Sequence, residues 1–231
     1  MTTFDVFRSI HIAAGFSALS SFWIPMVVTK GGSLHRRAGW FYVCAMATVA
    51  VSAVIMATIR LFFQDGNSDG RKVFSIFLLF IAVLSSSSAW FGIRVLQQKK
   101  RVGVHSELAD VAWSTALLLA SVATIVLGFH LDVALLKYFP ALGLFVSVNQ
   151  LLYWRRAPRE KAHWWFKHMS GMFASCIATV TAFSVFGGPR FLGISGTSLW
   201  LWFTPTAVLV PVLLYWSRRY RQKFGKRSAT A

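Results

Sequence analysis

The sequence carries little charge and almost no acid. Only 13% of its 231 residues are charged, and just seven of them are Asp or Glu. Soluble domains average about 25% charged residues, and an ionisable side chain at the centre of a bilayer costs about 2.5–3.5 kcal/mol. With 56% hydrophobic residues and a mean hydropathy of +0.58, the composition excludes an ordinary soluble domain and indicates a membrane protein.

Further absences narrow the function classes. The two cysteines, Cys44 and Cys176, lie in apolar runs without C-x-x-C spacing, so we expect buried, inert thiols. The last apolar run has no lysine at its centre, which excludes a retinal Schiff base. The net charge of +17 comes from clusters between apolar runs rather than from one soluble face. We therefore expect no nucleic-acid partner.

Seven apolar runs are each close to the roughly 20 residues that a spanning helix needs. They cover residues 10–28, 38–62, 73–96, 109–129, 133–154, 165–186 and 197–216. The sequence predicts an all-α, polytopic membrane bundle of about seven transmembrane helices. It forms one domain over 1–217, followed by a basic cytoplasmic tail over 218–231.

The distribution of lysine and arginine gives the bundle a direction. Of the 24 basic residues, eighteen lie in the flanks and loops of one side, which includes the C-terminal tail. Because cytoplasmic loops are enriched in Lys and Arg, we predict an N-terminus outside and a C-terminus in the cytoplasm. The chain is expected to cross its membrane several times, with the lipid bilayer as its partner.

Six histidines are the polar residues best suited to carry chemistry. The predicted topology puts two near the outer face and four near the cytoplasmic face, namely His11 and His130 outside and His35, His105, His163 and His168 inside. Two layers of imidazoles are what a protein with two b-type haems needs to carry electrons across a bilayer. Histidine is also comfortable near a membrane boundary without any ligand, and this simpler reading stays open.

The leading hypothesis is a membrane redox protein that resembles a cytochrome b. His11 and His130 would ligate an outer haem b, and His35 and His163 an inner one. His105 or His168 would be the substitutes in the inner pair. Such an oxidoreductase would take electrons from a quinol or a periplasmic redox partner.

Two other functions compete with this hypothesis. His105, Glu107 and Asp110 cluster before or at the start of a predicted helix, and with the other inner histidines they would bind zinc for an intramembrane hydrolase acting on lipid. The structural alternative is that both acids favour the helix N-terminus and pair with neighbouring lysines. A transporter of small molecules or lipid without metal is the other candidate, with the serine run at 85–88 lining a cavity or packing tightly.

Three segments resemble a known family. They are 11–25 (HIAAGFSALSSFWIP), 30–43 (KGGSLHRRAGWFYV) and 161–169 (KAHWWFKHM). They are similar to the bacterial membrane proteins grouped as domain of unknown function 2306, over about 5–50 and 160–185. That family has a histidine opening the first helix, then KG-x-x-x-H-R-R-x-G-W and H-x-x-W-M-x-R. Here Phe166, Lys167 and His168 replace the W-M-x-R run. The resemblance implies a bacterial inner-membrane bundle and no particular activity.

Overall fold

The computed structural model of the protein describes residues 2–64, 69–160, 162–191, 193 and 199–229. All regular secondary structure in these ranges is helical. The α-helices are α1 (Thr3–Ser21), α2 (Trp23–Val27), α3 (Ser33–Thr58), α4 (Asp69–Arg94), α5 (Leu108–His130), α6 (Ala134–Tyr138), α7 (Ala141–Arg155), α8 (His163–Ala182), α9 (Gly188–Phe191) and α10 (Leu199–Ala229). Two π-helical turns, Ile59–Phe63 and Phe183–Gly187, extend α3 and α8.

Seven helical segments of the described chain are long and apolar enough to cross a membrane. They are Thr3–Val27, Ser33–Phe63, Asp69–Arg94, Leu108–His130, Ala134–Arg155, His163–Arg190 and Trp200–Phe224. The prediction of an all-α bundle with seven spanning helices is therefore confirmed, and the protein is a multi-pass membrane protein. The orientation of the termini and the identity of the membrane stay predictions.

The helix boundaries differ from the apolar runs at several places, and α1, for example, begins at Thr3 rather than at 10. Helix α3 begins at Ser33 rather than at 38, directly after a turn in which Gly31 has a φ of +78°. The fifth run is two helices, because Pro140 lacks the N–H that would continue α6 into α7. Helix α10 continues to Ala229, so it extends into the predicted basic tail. Positions 197 and 198 lie outside the described residues.

Helices α4 and α8 form the centre of the bundle. Helix α4 packs against α3, α5 and α8, while α1 packs on α3, α7 on α5 and α10 on α8. The serine run at 85–88 belongs to this centre. Ser87 donates to Gln150 Oε1 at 3.1 Å, and Ser88 donates to the carbonyl of Leu84 at 2.8 Å. The buried serines therefore lie where helices pack against one another. This agrees with the interpretation that the run at 85–88 packs tightly rather than lining a cavity.

The closest approach of α4 to α8 depends on two glycines. A Cβ on Gly171 would lie 2.8 Å from Gly92 Cα and 2.9 Å from the carbonyl oxygen of Ser88. Both neighbours are backbone atoms, which cannot move without shifting a whole helix. The crossing therefore needs glycine at position 171.

Replacing Gly171 by alanine should lower the free energy of unfolding by about 1–3 kcal/mol, the usual effect of overpacking. The matched control is Gly39→Ala on α3, where an added Cβ meets nothing within 4 Å and where alanine favours the helix. Thermal unfolding in detergent, followed by loss of the monodisperse peak in gel filtration, compares the two. Equal midpoints would contradict the close crossing.

Candidate functional site

Two of the four inner histidines face each other between α3 and α8. The ring centroids of His35 and His168 are 6.4 Å apart, and the ring planes are inclined at 64°. Both side chains are partly buried. The structure thus brings His35 together with His168, the substitute partner, and not with His163.

The orientation of His168 is set by the end of α4. Leu96 N–H donates to the carbonyl of Ile93 at 3.0 Å, so this turn is tighter than an α-helical turn. The carbonyl of Gly92 is left to accept from His168 Nδ1 at 2.6 Å. Because a carbonyl oxygen can only accept, Nδ1 of this imidazole carries a proton, and in the neutral ring the lone pair is on Nε2.

The orientation of His35 is set by the short helix α2. This helix ends at Val27, so the carbonyl of Pro25 has no partner within the helix. It accepts from His35 Nδ1 at 3.1 Å and from Lys30 Nζ at 2.9 Å. Burial lowers the pKa of the Lys30 ammonium. Because His35 Nδ1 donates to the carbonyl of Pro25, His35 has the same tautomer as His168, and its Nε2 is free to bind a ligand.

This donor set fits a metal held between two imidazoles. Ligating histidines commonly donate their second ring nitrogen to a backbone carbonyl, which fixes the tautomer and the ring. A metal–nitrogen bond of about 2.0–2.1 Å on each side would separate the two ring centres by about 6.3 Å. The observed 6.4 Å agrees with that value. Helices α3 and α8 are joined here by long side chains, such as Tyr42 Oη and Ser175 Oγ at 2.8 Å, rather than by close backbone packing.

The two outer histidines lie on separate parts of the bundle. His11 Nδ1 lies 3.1 Å from the carbonyl of Val49 and 3.0 Å from Ser52 Oγ, both on α3. His130 is exposed at the end of α5. Helix α1 packs with α2, α3 and α8, whereas α5 packs with α4, α6 and α7. The structure does not bring His11 and His130 together.

His163 faces α7 rather than the pair formed by His35 and His168. It is the first residue of α8, and its Nδ1 lies 2.8 Å from Tyr153 Oη. Within the described residues, its buried Nε2 has no partner at hydrogen-bonding distance. His163 and His168 therefore belong to different surroundings, although they are only five residues apart.

His105 belongs to a buried ionic network around Asp110, whose side chain is fully buried. Arg94 Nε lies 2.7 Å from Oδ1 of this carboxylate, and Arg94 Nη2 lies 3.0 Å from Oδ2. Trp90 Nε1 donates to Oδ1 at 3.1 Å, and His105 Nε2 lies 2.8 Å from Oδ2. Arg94 also pairs with Glu107. The partner of both acids is thus this arginine, where the sequence had suggested lysines.

The same network bears on the zinc alternative. His105, Glu107 and Asp110 place one ligand atom each within 4.8 Å of one another. Both oxygens of Asp110 are already bonded, however, and the guanidinium of Arg94 occupies the position that a dication would need. The geometry is that of an ion-pair network that ties α4 to α5.

Comparison of the chain with protein-family models, with curated proteins and with solved structures finds no match to any of them. The resemblance of 5–50 and 160–185 to domain of unknown function 2306 therefore stays a prediction. The function must be argued from the site itself.

Proposed function

We propose that this protein is a b-type haem protein that moves electrons within or across the bilayer. His35 and His168 would hold the iron of one haem in this proposal. The observation that carries it is the facing pair of imidazoles, each with Nδ1 bonded to the carbonyl at the end of a helix.

The donor set favours haem over other metal centres. Two imidazoles from neighbouring helices, with their ring centroids 6.4 Å apart, would hold the iron of a haem in this proposal. A zinc site needs three or four protein ligands around one point, and no third histidine or acid of the described residues joins this pair. Bound haem b supplies a one-electron redox couple.

The chain's own residues would prepare the site for that group. Gly92 and Pro25 hold a proton on Nδ1 of both imidazoles, so that neither neutral ring needs to change its tautomer before Nε2 binds. Lys30 shares the Pro25 carbonyl and brings a positive charge to the same end of α2. The proposal contains one haem rather than two, because His11 and His130 lie apart.

The absorption spectrum of the purified protein tests the proposal. Protein made in haem-replete cells should be red, with a Soret band that shifts when dithionite reduces the iron. A colourless preparation that is folded and monodisperse would refute the haem. Metal analysis of the same sample tests the zinc hydrolase, for which stoichiometric zinc would be expected.

A further inference from the structure

A second polar site lies at the same end of the bundle, where α7 ends and α8 begins. A cavity of about 370 Å³ opens there against α10. The polar part of its lining is mostly basic, and the basic residues and histidine in it are Arg156, Arg159, Lys167, Arg221 and His163. A cavity of this size is in the range of sites for small ligands, about 300–1,000 Å³.

The positive charge of this cavity is largely uncompensated. Its one acidic lining residue, Glu160, pairs with Arg221 at 3.4 Å. Among the described residues, no carboxylate lies within ion-pairing distance of Arg156 or Arg159. Like charges held together around a concave surface repel one another unless an anion joins them. The cavity therefore has the electrostatic character of an anion site.

The walls of the cavity limit the kind of anion. Leu152 and Phe166 supply an apolar side, so the site can accommodate a short apolar part beside the charge. The cavity also lies at the first turn of α8, where the helix dipole adds a partial positive charge. Guanidinium groups match phosphate oxygens in pairs, which favours a phosphoryl group over a simple carboxylate.

We propose that this cavity binds a phosphate-bearing anion whose phosphoryl oxygens accept hydrogen bonds from Arg156 and Arg159. Two sources share that chemistry, the headgroup of an anionic phospholipid in the adjoining leaflet and a free phosphate ester. The apolar wall favours the lipid. The site does not depend on the haem, because in the described structure no side-chain hydrogen bond or ring contact joins its residues to His35 or His168.

Native mass spectrometry of the full chain in detergent tests the proposal. Phosphatidylglycerol is the anionic probe, phosphatidylcholine the neutral one, and inorganic phosphate the competitor. The double variant Arg156→Gln/Arg159→Gln removes the proposed donors. Its matched control, Arg218→Gln/Arg219→Gln, removes the same charge from exposed positions of α10 outside the cavity.

We expect the double variant to bind phosphatidylglycerol about 30-fold more weakly than the wild type, since each basic residue near anionic lipid contributes roughly 1 kcal/mol. Its binding of phosphatidylcholine should not change, and the control should keep most of its affinity. The wild type could instead bind inorganic phosphate but no phosphatidylglycerol, with the phosphate lost only in the double variant. That result would assign the site to free phosphate. Equal losses of binding in the double variant and the control would overturn the proposal. A wild type that binds neither phosphatidylglycerol nor inorganic phosphate would also overturn it.

Discussion

Replacing His168 by alanine should abolish the haem absorbance of the purified protein. The imidazole of His168 is one of the two proposed axial ligands, and the other, His35, lies on a different helix. Without His168, only the imidazole of His35 on α3 would remain to hold the haem. His35→Ala should give the same loss, because the two ligands act as a unit. The measurement is the Soret absorbance per mole of purified chain.

Two control variants separate ligand loss from general damage. His130→Ala alters an exposed histidine and should keep the full absorbance. His11→Ala removes hydrogen bonds between α1 and α3 that are comparable with the bond from His168 to Gly92. It should therefore lower stability to a similar extent while it keeps the haem. Full absorbance in His168→Ala, or equal loss in His11→Ala, would contradict the proposed ligand pair.

The second large effect concerns stability. Asp110→Asn should lower the free energy of unfolding by about 3 kcal/mol, the lower end of the range for a broken buried ion pair. The guanidinium of Arg94, whose side chain is only 14% exposed, would keep the half-exposed Glu107 as its remaining carboxylate partner. Cys44 is exposed, where the sequence had suggested a buried thiol, so the variants are made in a Cys44→Ser background. Labelling of the buried Cys176 thiol during heating then reports the unfolding midpoint. The midpoint should fall well below that of the wild type.

Glu107→Gln is the matched control for Asp110→Asn. It removes the other carboxylate that pairs with Arg94, but that side chain is 51% exposed. Exposed ion pairs contribute about 0–1 kcal/mol, so the midpoint should change little. The double variant Arg94→Met/Asp110→Asn should recover part of the loss, because neither buried charge then remains. Similar midpoints for Asp110→Asn and Glu107→Gln would show that the network contributes little.

Composition and the length of the apolar runs were sufficient to predict the spans, because the length of such a run is set by the thickness of the bilayer. The ends of the helices were harder to predict. The charged residues Arg36 and Arg37 made 38 look like the start of a span, although α3 begins at Ser33. Polar residues in a first turn can reach the membrane boundary while the backbone is already helical.

The candidate site was only partly predictable, since histidine spacing gives a depth in the membrane and not a partner. By depth, His163 was the first choice as the partner of His35, and His105 and His168 were possible substitutes. The structure favours His168 because the tight turn after α4 frees the carbonyl of Gly92. The partner of Asp110 was missed for a related reason. Arg94 is 16 residues away, across a loop, and only the packing of α4 on α5 brings the two side chains together.

Electron paramagnetic resonance of the oxidised wild-type protein tests most directly whether one haem iron lies between His35 and His168. Two imidazole nitrogens on opposite faces make ferric haem low-spin, so the spectrum reports both axial ligands at once. We predict one low-spin ferric centre per chain by spin integration. No ferric haem signal, a high-spin signal, or two centres per chain would contradict the single site with two histidine ligands.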